Sequence, residues 1–144
     1  MAQSQEEVVH AKGHSHVQAT HSSTFELTSD DWLTSAGDCI LGIEADRTPT
    51  VFSESFVKAC KSQQAKITAT FSVGNYREQI TGYGHPDLTF TNDRSLVGRT
   101  STYVDDRTIM IRTDKAAKDI DRALIAELKD GAAMTCVLKV KPAD

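Results

Sequence analysis

Two stretches of this chain carry the same apolar pattern at one fixed distance. Phe52, Phe56, Val57 and Cys60 match Ile120, Leu124, Ile125 and Leu128, each pair 68 residues apart. Both sets fall at the i, i+4, i+5, i+8 spacing that lines one face of a helix. The same offset carries Asp46-Arg47 onto Asp114-Lys115, Ile43 onto Ile111 and Asp38 onto Asp106. Upstream, Gly13-His14 answers Gly84-His85 with a shift of a few residues, and the strand-like KITATFSV and AMTCVLKV follow the two helical patterns. The pattern predicts a diverged internal duplication with a boundary near Gly74-Asn75. The halves, about 8–74 and 75–144, would each run strand, strand, strand, helix, strand. A coincidence between two ordinary strand–helix–strand units is the plainer alternative. Each half is too small to cover its own sheet, so 8–144 is expected to fold as one domain. Residues 1–7 are expected to form a flexible tail.

Between the helices the chain is rich in Val, Ile, Thr and Phe, alternating with polar residues and punctuated by Gly, Asn and Asp. That pattern predicts short strands at VVHAKGHSHV, TFELT, CILGIEA, KITATFSV, EQITGY, LTFT, SLVG, RTIMIRT and AMTCVLKV. Gly74-Asn75 suits a hairpin turn. Ser53 is expected to cap the first helix and Asp114 the second. The expected class is a β-rich α+β fold, a pseudo-symmetric barrel or sandwich carrying two helices.

No apolar run approaches the ~20 residues needed to span a bilayer, and the acidic, polar N-terminus is unlike a secretory signal. Cys39, Cys60 and Cys136 are widely spaced in apolar runs, which suits buried thiols in a reducing, cytoplasmic (intracellular) setting. Residues 1–60 carry three Lys or Arg against nine Asp or Glu, which argues against a general nucleic-acid binder.

The stretches GHSHVQATHSSTFELT, LTSAGDCILGIEAD, GYGHPDLTF and DRTIMIRTDKAAKDIDRALIAEL resemble the domain of unknown function 371 family, which has archaeal and some eukaryotic members. The resemblance runs over nearly the whole chain and implies a β-rich, sandwich- or barrel-like body. The family has no settled activity, so it implies no catalytic or binding residue. His14 and His21 stand where the family pattern has histidine. His16 stands where it commonly has Asn, and His10 lies outside the motif.

On a strand from Val8, His10, His14 and His16 share the polar face and the apolar residues the other. Zinc requires three or four convergent ligands, and this stretch guarantees two. A metal site would therefore draw on His14 and His21 with His85, brought together across a pseudo-two-fold axis. Exposed polar decoration for His14 and a turn or core role for His21 are the plainer readings. Asp38 with Asp106, and Asp46 with Asp114, are paired by the repeat and could hold a ligand or cap helices. Arg94, Arg99, Arg107 and Arg112, with Tyr103 among them, could bind phosphate or RNA, or could pair with neighbouring aspartates. No phosphate-binding glycine loop, nucleophile elbow or zinc-protease motif is present.

Three functions follow as expectations. The first is a binding module whose polar pocket, lined by His14, His21, His85, Asp38, Asp46, Asp106, Asp114, Arg107 and Lys115, takes a small anionic ligand or a divalent metal cation. The second is a metal-assisted hydrolase using the same residues. The third is a protein that binds RNA or a larger assembly through the arginines at 94–112.

Overall fold

The computed structural model describes residues 3–143. Eight strands and two helices follow in the order β1 (Gln5–Lys12), β2 (Thr24–Thr28), β3 (Ile40–Gly42), α1 (Glu54–Cys60), β4 (Lys66–Val73), β5 (Tyr76–Tyr83), β6 (Ser95–Arg99), β7 (Thr108–Met110), α2 (Arg122–Lys129) and β8 (Ala133–Lys141). A 3-10 turn precedes each helix, at Pro49–Val51 and Ala117–Asp119. The strands form two four-stranded sheets, ordered β1-β8-β4-β5 and β3-β2-β6-β7. The first sheet is antiparallel throughout, and in the second only the central β2–β6 pair is antiparallel.

Alternation does most of the folding work. In β4, Ile67, Ala69, Phe71 and Val73 are buried while the intervening residues are not. β8 buries Met134, Cys136, Leu138 and Val140 in the same way. These faces meet Phe25, Leu27 and Leu96 of the second sheet and Phe56, Cys60, Leu124, Ile125 and Leu128 of the helices in one core. Phe25 and Phe71 join the sheets edge to face, with ring centroids 5.5 Å apart. The β-rich α+β class is thus observed. The sheets do not close into a barrel.

Several boundaries moved for identifiable reasons. β1 starts at Gln5, so Gln5–Glu7 of the expected tail belong to the sheet; Met1 and Ala2 lie outside the described residues. Glu7 is buried and pairs with Arg47 at 2.7 Å. The expected strand 8–17 ends at Lys12 because Gly13 crosses the end of α2. An alanine Cβ at Gly13 would sit 1.8 Å from the Leu128 carbonyl oxygen. LTFT forms no strand; Phe90 takes a positive φ of 53° and packs on Phe52 and Phe56.

Ser53 caps α1 as expected, its Oγ accepting from Phe56 N–H at 3.2 Å. The second helix starts later than expected, and its cap is Asp121, which accepts from Ala123 N–H at 2.8 Å. Asp114 instead accepts the N–H of Thr81 at 2.9 Å, and Asp46 accepts that of His10 at 2.8 Å. Both aspartates therefore close the outer edges of β5 and β1, where free N–H groups would otherwise invite another strand.

Candidate functional site

The strand register decides the histidine site. Gly13 N–H donates to the Ala132 carbonyl at 2.8 Å, and Gly84 N–H to the Ala65 carbonyl at 3.0 Å. Ala132 lies just before the first residue of β8. Ala65 lies just before Lys66, which pairs with Lys141 at the last residue of β8. Eight residues at ~3.4 Å each put those ends roughly 27 Å apart. His14 and His85 follow those glycines directly and therefore cannot share one ion. Among the described residues, no three His, Cys, Asp or Glu side chains gather as a metal would require.

Each histidine has a local role. His14 Nδ1 accepts from His16 N–H, and His85 Nδ1 accepts from Asp87 N–H, both at 3.0 Å. His21 Nδ1 accepts from the backbone N–H groups of Ser23 and Thr24, each at 3.1 Å. Asn92 Oδ1 does the same for Arg94 and Ser95, at 2.9 and 2.7 Å. His21 is thus a turn-forming side chain. His21→Asn should stay within about 0.5 kcal/mol of the parent in urea denaturation, whereas His21→Ala should lose about 1 kcal/mol.

The remaining candidates are scattered. Asp38 uses its backbone carbonyl to receive Thr20 and His21 N–H. Asp106 Oδ2 receives the Asn92 side-chain amide at 3.2 Å. Lys115 pairs with Glu78 at 3.3 Å. Asp46 and Asp114 are edge-closing groups, so the nine-residue pocket is not assembled.

What the fold does assemble is a charged surface on the outer face of β2 and β6. Phe25 and Leu27 turn to the core, so Glu26 turns outward, opposite Val97. Residues of the segment 30–37 share a cleft with Glu26, and Tyr103 and Asp105 contact Arg99. Asp105 is the hub. Its Oδ2 accepts from Arg99 Nη2 at 2.9 Å and from Arg107 Nη2 at 3.2 Å. Its Oδ1 accepts from the Thr108 hydroxyl at 2.9 Å and Arg107 N–H at 3.0 Å. Burial pushes the Asp105 carboxyl up, but the Thr108 and Arg107 hydrogen bonds and the Arg99 charge outweigh it and hold it at about 2. Arg99 is only 9% exposed and stacks on Tyr103, 4.9 Å from the ring centroid.

Beside this hub lies a cleft of about 420 Å³. Its lining combines the cations Arg94 and Arg107, the apolar Trp32, Leu33 and Ile40, and the carboxylate of Glu26. Asp30 grips Arg94 through Nε at 3.0 Å and Nη2 at 2.6 Å. Arg94 and Arg107 each keep Nη1 clear of any protein partner among the described residues. Trp32, the chain's single tryptophan, is 55% exposed at the rim. Cys39 reaches Glu26 at 3.4 Å. Burial and the Glu26 charge push its thiol up to about 11, so it is protonated at neutral pH and a poor nucleophile.

Of the nine sequence candidates, Arg107 lines this cleft and Asp106 supports it through Asn92. Sequence reasoning missed Glu26, Asp30 and Trp32; Asp105 is among the aspartates it offers as ion-pair partners for these arginines, and it does pair with Arg99 and Arg107. The signal available was a lone tryptophan in the polar run SDDWLTS, followed in space by arginines already suspected of binding anions. The four arginines at 94–112 are engaged internally. Arg94 and Arg99 hold aspartates, Arg107 shares Asp105, and Arg112 lies 4.5 Å over Tyr83.

A family model described as Domain of unknown function (DUF371) matches residues 9–141. An uncharacterized protein of Methanocaldococcus jannaschii is 42% identical over 124 residues, covering 86% of this chain and 91% of that protein. The chain belongs to the DUF371 family. No helix among the described residues is long and apolar enough to cross a membrane.

Proposed function

We propose that this protein is a binding module for a small anionic ligand, held in the cleft lined by Trp32 and the arginine pair. The observation that carries this reading is the presentation of Arg94 and Arg107. Carboxylates orient both guanidinium groups, both residues line one cleft, and each has an Nη1 donor without a protein partner among the described residues. Fixed guanidinium donors match the geometry of carboxylates and phosphates, and little is lost in ordering them when the ligand arrives. Trp32, Leu33 and Ile40 suit an apolar portion of the same ligand. The cation-binding and hydrolase readings find no set of three converging His, Cys, Asp or Glu donors among the described residues.

We further infer that the chain is a diverged duplication, and that divergence made the cleft. The support is residue by residue. Glu7 with Arg47 and Ser53 N–H repeats as Glu78 with Lys115 and Asp121 N–H. Positive φ occurs at Ala19 and Glu44, and again at Phe90 and Arg112. At the positions answering Arg99, Asp105, Arg107 and Thr108, the first half carries Thr28, Gly37, Cys39 and Ile40. The second half keeps an ionic hub, and the first replaces it with smaller or apolar groups that leave room.

Isothermal titration with inorganic phosphate, citrate and glycerol 3-phosphate tests the binding reading. At least one should bind, and Arg107→Gln should weaken it about tenfold or more. Equal affinity for parent and Arg107→Gln would place the site elsewhere.

A further inference from the structure

The other sheet presents a second, separate surface. Among the described residues, the outward side chains of β1, β8, β4 and β5 are all exposed or half-buried. Register sets its rows. Lys141, Lys66 and Tyr83 form one end; Glu6, Lys139, Thr68 and Thr81 form the next row. Val8, Val137, Thr70 and Gln79 cross the middle, followed by His10, Thr135, Ser72 and Arg77. The centre is a shallow trough of about 580 Å³.

Lys66, Lys139, Lys141 and Arg77 are all exposed, and none forms an ion pair among the described residues. Glu6 is the one carboxylate in these rows, and Lys12 at the rim is taken by Glu44 at 2.7 Å. The chain as a whole carries a net charge of −4, so this face is a concentration of positive charge against the molecular trend. We propose that it docks the phosphate backbone of duplex RNA without reading its bases.

Three features favour the phosphate backbone of a duplex over a protein or a single strand. Unpaired lysines and an arginine beside Thr and Ser hydroxyls are the groups that contact phosphate and sugar oxygens. Protein interfaces are instead depleted in lysine and built on aromatic anchors, and the trough has none. Single strands are held by stacking bases on aromatic rings. Tyr83, at the edge, already lies under Arg112. The face is roughly 27 Å long and 14 Å across by strand rise and spacing, enough to lie along a duplex.

Fluorescence anisotropy with a labelled mixed-sequence RNA duplex of about 20 base pairs tests this, with salt raised from about 50 to about 200 mM. Binding should weaken with a log–log salt slope of about −3, as expected for three to four phosphate contacts. Lys66→Ala/Lys139→Ala should weaken binding about tenfold and reduce the slope magnitude by about 2, with an unchanged melting temperature. Arg94→Ala/Arg107→Ala should leave RNA affinity within about twofold, separating this face from the cleft. No binding at low salt, an unaltered Lys66→Ala/Lys139→Ala variant, or tighter binding to the single strand or to polyglutamate would each overturn the proposal.

Discussion

Gly13→Ala should lower the free energy of unfolding by about 3 kcal/mol, and Gly84→Ala by a similar amount. An added Cβ would meet the Leu128 carbonyl oxygen at 1.8 Å in the first case and the Cys60 carbonyl oxygen at 2.0 Å in the second. Both obstacles are helix backbone, which cannot swing aside as a side chain can. The chain after β1 crosses the last turn of α2, while the chain after β5 crosses the last turn of α1. Each crossing therefore ties one half to the helix of the other. Denaturant midpoints read the effect. A fall in midpoint with an unchanged slope marks lost stability of one cooperative unit. Near-neutral alanines at both sites would mean that the two crossings are looser than Cβ distances of 1.8 and 2.0 Å require.

Asp105→Asn should be comparably damaging, costing about 3 kcal/mol. Arg99 is nearly buried, and its guanidinium relies on Asp105 and the Thr108 hydroxyl, both at 2.9 Å. Without the carboxylate, two arginine charges remain together on a partly buried face. The pH dependence follows from the direction of the shift. Asp105 is held at about 2 in the folded protein, below the ~4 of an unfolded aspartate. The unfolded chain thus takes up the proton more readily. The contribution is complete above about pH 4 and is lost as pH falls from about 4 through about 2. Urea denaturation across that window should show a shallower acid decline in Asp105→Asn than in the parent. The same variant should weaken anion binding, because Arg107 loses the partner that orients it.

Alternation made the strands legible, because hydrophobic burial has a period of two on a sheet. Helix faces and the Ser53 cap were legible for the analogous reason. Asp114 was misplaced because an aspartate before a helix-like run suits a cap as well as an edge-closing acceptor. Only the partner, Thr81, distinguishes the two roles, and it lies 33 positions upstream. His14 and His85 were joined on matching local sequence. The segments that follow β1 and β5 fall at opposite ends of the first sheet, so their separation depends on register, which sequence similarity does not encode. The cleft escaped for a related reason. It joins Trp32 on one loop to Arg94 and Arg107 on distant segments, and Asp30, which holds Arg94, lies 64 positions from it.

Trp32 can report anion binding directly, since it is the chain's single tryptophan and lines the cleft. Its fluorescence should change saturably on titration with at least one of phosphate, citrate and glycerol 3-phosphate. The change should vanish in Arg94→Gln/Arg107→Gln while the far-ultraviolet circular dichroism stays that of the parent. A saturable change that survives in that variant, or no saturable change with any of the three anions, would contradict an anion site between Trp32 and the arginines.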